Sequence, residues 1–261
     1  MLAFKLSPKY KGNGVSEGLD RGLLVYWDGE LLLEEGMGIG ACAVQQGGFT
    51  HFGSLKSFQE EGARLEAVYS MNKKLIWTLF GIPSKFITRI MDYSGTNLYM
   101  NQERLQDLFF KVGTFFFKVF QMKVSFAEIL PIGEVHLVYE VGDSEVFVNV
   151  SCKTKKPDCK IFVMNELGGN LFNQGMIKGM ATLPPPGWQR VPMGAELFSP
   201  LKSLAFKIIE FEVPQNIEST IYWGREISKE HQWAGFESEI MNSKGDLVNY
   251  RYSIKFREVY E

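Results

Sequence analysis

Leu23-Leu24-Val25-Tyr26-Trp27-Asp28-Gly29-Glu30-Leu31-Leu32-Leu33-Glu34 carries the signal from which the fold follows. Two apolar runs flank Asp-Gly, the dipeptide that supplies positive φ at both central positions of a type I′ turn, whose twist suits a β-hairpin. The pattern repeats outward. Gly47-Gly48 separates a strand over Gly36–Gln46 from the run that begins at Phe49, and this turn pairs Val44 with His51. Further on, Glu134–Val141 and Val146–Cys152 alternate apolar and polar residues around Gly142-Asp143-Ser144-Glu145. Pairing Val141 with Val146 sets Val135, Leu137 and Tyr139 opposite Cys152, Val150 and Val148. The other face then holds Glu134, His136, Glu140, Asn149 and Ser151, with Val138 and Phe147 among them.

At the carboxyl end, Val248, Tyr250, Tyr252, Ile254 and Phe256 alternate with polar residues, and so do Ala234, Phe236 and Ile240 upstream. A three-residue loop, Ser243-Lys244-Gly245, aligns both apolar sets as one hairpin, with Gly245 at positive φ and Glu237 opposite Arg251. Further strands are expected at Lys74–Phe80, Lys85–Tyr93, Lys160–Asn165, Met176–Leu183, Ala205–Val213 and Ser219–Glu226. Turn signals every 8–15 residues indicate an all-β fold with at most one or two short helices. The architecture expected is a large antiparallel β-sandwich or barrel-like two-sheet arrangement.

Residues 101–126 resist that grammar; the pattern predicts a helix near 102–111 and a strand near 114–126. Seven of the 21 phenylalanines fall in 105–126, interleaved with Lys111, Lys118 and Lys123. An interfacial membrane element has this composition, but core packing is the better reading for a large β protein. Pro184-Pro185-Pro186-Gly187 is the one linker-like run. It is expected to be a surface connection within a single domain over 1–261, the alternative being a division into 1–183 and 188–261.

Composition excludes several classes. The 261 residues carry 28 Lys+Arg against 30 Asp+Glu, a net charge of -2, so neither nucleic acid nor an anionic membrane is an expected partner. With 45% hydrophobic residues the chain is globular rather than disordered. No run approaches the length of a membrane span, and the amino terminus turns polar at once, unlike a signal peptide. Cys42, Cys152 and Cys159 make neither a C-x-x-C pair nor a disulfide framework, so a reduced, cytoplasmic location is expected.

No G-x-S-x-G elbow, P-loop or H-E-x-x-H is present, and no cofactor is expected. Gly36-x-Gly38-x-x-Ala41 resembles a dinucleotide fingerprint only on paper, because the flanking segments read as strands. Read as a strand instead, Gly36, Gly38, Gly40 and Cys42 form a face almost without side chains, and His51 joins it. Such a strip floors a pocket, with Gly38 and Gly40 admitting a ligand ring, or else it is a packing groove for an aromatic or a bulge. Spacing of two along a strand aims Glu134 and His136 the same way, suiting an acid–base pair, or else a solvated face. His231 lies in a charged loop. A three-histidine metal site would need three distant segments to converge, and none is expected. Trp223, Arg225 and Trp233 bracket that loop as exposed stacking residues for an amphipathic ligand, with Trp233 opposite Lys255.

Three functions fit these residues. The first is binding of a small sugar-like or amphipathic molecule in an aromatic-lined cleft by Gly38, Gly40, Trp223, Arg225 and Trp233. The second is an enzyme (isomerase, lyase or sugar-active hydrolase) using His136, Glu134 and His51. The third is an assembly protein, a homo-oligomer formed through edge strands.

Overall fold

The computed structural model describes residues 2–6, 18–32, 36–93, 115, 117–182, 187–215, 217–227, 232–242 and 244–259. Strands β1 (Leu2–Leu6), β2 (Leu23–Trp27), β3 (Glu30–Leu31), β4 (Gly38–Gln46), β5 (Phe49–Glu61), β6 (Arg64–Leu79) and β7 (Ile82–Pro83) precede helix α1 (Lys85–Tyr93). They are followed by β8 (Lys123–Glu128), β9 (Gly133–Val141), β10 (Glu145–Thr154), β11 (Cys159–Gly168), β12 (Gln174–Ile177), β13 (Met180–Thr182) and β14 (Gly187–Arg190). The chain ends with β15 (Glu196–Ser199), β16 (Leu204–Glu212), β17 (Ser219–Ile227), β18 (Gln232–Asn242) and β19 (Leu247–Glu258). The fold is all-β and antiparallel throughout the described residues.

Two layers emerge from the registers. β12, β15, β16, β19, β10, β9, β6 and β5 pair in that order. β4, β11, β18, β17 and β14 form the second layer. The long β5 joins them, pairing with β4 through its first residues and with β6 along its length. Register shifts at Phe52/Gly53 and Leu55/Ser57 supply the bend this double duty needs. Between the layers, Phe206 of β16 meets Phe236 of β18 edge-on at 5.4 Å, and the indole of Trp223 in β17 lies against Gly175 of β12. Strands from either side of residues 184–186, which lie outside the described residues, pair directly, as β10 does with β19 and β11 with β18.

The turn chemistry behaves as its residues require. Asp28 and Gly29 have φ of 49° and 83°, Gly47 and Gly48 of 58° and 73°, and Val44 faces His51. The β9–β10 hairpin takes the register Val141↔Val146. The carboxyl-terminal pair does not form the expected hairpin. β18 pairs with β17 and β11, β19 with β10 and β16, so Glu237 faces Tyr222 and Met164 while Arg251 faces Asn149 and Glu212. Trp233 accordingly faces Gly168 and Glu226 instead of Lys255. The two apolar sets meet across the core rather than side by side. Gly245 does have positive φ (74°), and its N–H donates to the Asn242 side chain at 3.0 Å.

Lys85–Tyr93 is a helix, not a strand. Ser84 caps it, its hydroxyl accepting the Ile87 N–H at 3.3 Å, and this local bond overrides the β-branched content. Met176–Leu183 is interrupted by a turn at Lys178-Gly179, φ 50° and 78°, which makes it the β12–β13 hairpin. The strand expected at 114–126 begins only at Lys123. Residues 117–119 are helical and end where Gln121 turns to φ 46°, with Phe117 stacked on Trp77 at 5.4 Å. The helix expected near 102–111 lies outside the described residues.

Within β4, Ala41 pairs with Met164 and Ile39 with Asn165, which leaves Gly40 as an extra, bulged residue at φ 84°. A Cβ there would sit 2.5 Å from the Tyr139 hydroxyl. Gly47, also at positive φ, has open space around it. Gly40→Ala is therefore expected to cost about 2–4 kcal/mol in urea unfolding, against about 1 kcal/mol for Gly47→Ala.

Candidate functional site

A groove of about 460 Å³ crosses the outer face of the first layer. Its side chains arrive in rows fixed by strand register. One row is His136, Ser151 and Asn249; the next is Val138, Asn149, Arg251 and Glu212. Alternation makes this face polar because the intervening residues, Leu137, Val148, Val150 and Tyr250 among them, fill the core. Val213 and Pro214 form one rim, beside the register shift between Ile208 and Phe211 in β16. The Phe211 ring, 5.7 Å from Tyr250, anchors that rim.

The groove's charges are partly engaged. His136 Nε2 lies 3.5 Å from Glu66 Oε2. The Arg251 guanidinium lies over the Phe147 ring at 4.6 Å, its Nη2 is 3.9 Å from Glu140, and its Nε has no hydrogen-bond partner among the described residues. Glu134 stands on the same face as His136, but its carboxylate accepts from Lys56 at 2.7 Å. That hydrogen bond and the ammonium charge hold it below the usual carboxylate range.

The other residues expected to form a site are scattered. His51 is buried on the core side, its Nδ1 3.3 Å from the Val44 carbonyl, and desolvation chiefly lowers its pKa. It faces Lys74 in β6 while His136 faces Val68, six residues away, so the two histidines are about 20 Å apart and on opposite faces. Gly38 and Gly40 are buried, and Tyr139 covers Gly40. Trp223, expected to be exposed, is 0% exposed and belongs to the core. Arg225 and Trp233 contribute backbone to β17 and β18, and their side chains, like the whole of His231, lie outside the described residues. No metal-binding group occurs among the described residues.

The second layer's outer face holds a constellation that local spacing did not reveal. Glu237 and Glu239 of β18 lie beside Tyr222 of β17 and Met164 and Phe162 of β11. Tyr222 donates to Glu239 at 3.4 Å, and Lys160 pairs with the same carboxylate at 2.8 Å. Nearby, Glu166 is buried and accepts the Met37 N–H at 2.9 Å. Desolvation, followed by the charges of Glu166 and Glu239, raises the half-buried Glu237 to about 8. A carboxyl group that holds its proton near neutrality is equipped for acid–base work. Glu237 and Glu239 show as alternation in the sequence, but only the β11–β18 register brings Glu166 near them.

No known protein family's pattern matches the chain, and no curated protein matches it. Solved structures similar to it include a heparinase III (9% identity, TM-score 0.44, 98% of this chain), of which the chain spans about a third, 32%. Another is the Slr1438 protein from Synechocystis sp. PCC 6803 (8% identity, TM-score 0.43, 98% of this chain and 92% of that one). A third is a putative aldose 1-epimerase from Escherichia coli K12 (8% identity, TM-score 0.41, 93% of each chain).

Because folding raises the Glu237 pKa, the folded chain keeps a proton that the unfolded chain releases between about pH 4.5 and 8. Its contribution to stability is fully present below that window and declines as pH rises through it. Glu237→Gln is expected to flatten this slope, which is at most about 1.4 kcal/mol per pH unit, in urea-unfolding series, so that the variant gains stability relative to the parent as pH rises toward 8.

Proposed function

We propose that the protein binds a small polyhydroxylated, sugar-like ligand in the groove between His136 and Pro214. One observation carries the reading: His136, Asn149, Ser151, Asn249, Arg251 and Glu212 line a single groove that also presents Val138 and Pro214. Fixed donors and acceptors against short apolar stretches suit a molecule with hydroxyls around a carbon ring. Two asparagine amides supply both donor and acceptor, as a hydroxyl requires. The one tyrosine in the lining, Tyr250, is buried in the core, so recognition rests on hydrogen bonds rather than on ring stacking.

A second reading, an enzyme acting by proton transfer, is favoured by the protonated Glu237 beside Tyr222 and Glu239. The two readings use opposite outer faces and separate by mutation. Calorimetric titration with neutral and acidic mono- and disaccharides is expected to give saturable binding that Asn149→Ala with Arg251→Ala weakens roughly ten-fold or more. Glu237→Gln is expected to leave that binding unchanged. No heat from any sugar in the panel would overturn the groove reading, and loss of a measured turnover in Glu237→Gln alone would favour the second.

A further inference from the structure

We propose that the end of the molecule built from the β6–β7 turn, α1 and residues 117–123 docks on an anionic lipid surface. Beyond its pairing with β9, β6 continues through Trp77, and three short elements gather around that residue. The Trp77 N–H donates to Thr88 Oγ1 of α1 at 2.9 Å, its carbonyl accepts the Ser84 N–H at 3.0 Å, and Phe117 stacks on its ring. The Phe80 N–H donates to the Phe120 carbonyl at 3.0 Å. These bonds fix the elements as one knob.

The knob turns large apolar side chains outward. Phe80 is 58% exposed, Ile82 70%, Phe86 72%, Ile90 42% and Val119 48%. On α1, Phe86 and Ile90 are four residues apart and share one helix face, while Thr88 faces the protein. At 150–250 Å² for each large side chain, these five expose roughly 400–600 Å² together, at the upper end of what a monomer normally leaves uncovered.

Charge selects the partner. Exposed Lys85, Arg89, Lys118 and Lys123 lie beside the apolar residues, and the β6–β7 turn, α1 and residues 117–123 together contain one acidic residue, Asp92. The whole chain carries a net charge of -2, so the knob is a local basic exception. Lysine is depleted from protein–protein interfaces, whereas lysine beside exposed phenylalanine and isoleucine matches the boundary between headgroups and acyl chains. No helix among the described residues is long and apolar enough to cross a membrane, so the contact is one of docking.

Vesicle flotation tests this with the intact chain. Phosphatidylcholine vesicles holding about 30% phosphatidylserine are expected to carry the protein, and pure phosphatidylcholine much less. Phe86→Ser with Ile90→Ser, and separately Lys85→Glu with Lys118→Glu, are each expected to reduce the floated fraction about ten-fold or more, with circular dichroism unchanged. Salt at about 1 M is expected to release the protein partly, by shortening the screening length to roughly 3 Å. Absence of flotation with the anionic vesicles, or flotation that neither double variant reduces, would overturn the proposal. Self-association by light scattering, abolished by Phe86→Ser with Ile90→Ser and unaccompanied by vesicle binding, would overturn it in favour of a second copy of the chain.

Discussion

The bulge at Gly40 leaves backbone groups of a buried strand without ladder partners, and the two layers are held in place by the side chains that satisfy them. The Gly40 N–H donates to Asn165 Oδ1 at 3.2 Å, the Ile39 carbonyl accepts the Tyr139 hydroxyl at 3.0 Å, and the Met37 N–H reaches Glu166. Each of these groups, left unpaired in the core, would cost about 1–3 kcal/mol. Asn165 Oδ1 also accepts the Tyr252 hydroxyl at 2.7 Å. One amide oxygen thereby ties β4, β11 and β19 together across the sandwich. Sliding either layer by one residue would break the Tyr139 and Tyr252 bonds, the two that cross between the layers, so these polar contacts specify a register that apolar packing alone would leave looser. Burial among them drives the Tyr139 and Tyr252 hydroxyls well above the usual phenol range, so they remain neutral donors.

What could be read from the sequence follows from how far apart the deciding residues lie. Asp28-Gly29, Gly47-Gly48 and the Gly142–Glu145 turn set pairing within a dozen residues, and in each the backbone conformation is dictated by the turn residues themselves. The β18–β19 reading failed for a definable reason. Period-two alternation reports which side of a strand is buried, and Phe236 and Phe256 are both buried, but it does not report which strand shares the hydrogen bonds. Half of the groove was legible for the same reason: His136 and Ser151 belong to one hairpin, whereas Asn249 and Arg251 arrive from a strand about a hundred residues later. Ser84 was a short-range signal that β-branched neighbours obscured.

The two outer faces hold their charges by different means. On the first, Lys56–Glu134, Arg64–Glu66 and His136–Glu66 are solvated pairs between side chains at least 30% exposed, each worth at most about 1 kcal/mol. They do little to fix the groove; the β16 bulge and the Phe211–Tyr250 contact shape it. A ligand entering there displaces weakly held, hydrated groups, which favours reversible binding by hydrogen bonds.

On the second face the charge is already desolvated before any ligand arrives. Met164, the register neighbour of Glu237, packs with Phe52 and Phe126 against a small cluster of Leu19, Met37 and Ala41. That apolar cover removes water from one side of the carboxyl group, while Glu166 is pinned close by through the N–H of Met37, the residue just before β4. Glu166 cannot move away without orphaning a buried donor, and so its charge stays near Glu237. The proton affinity of Glu237 thus depends on the same strand that ties the layers together, because β4 engages Asn165 and Tyr139 on the inside at Gly40 and Ile39, and the residue before it, Met37, engages Glu166 on the outside.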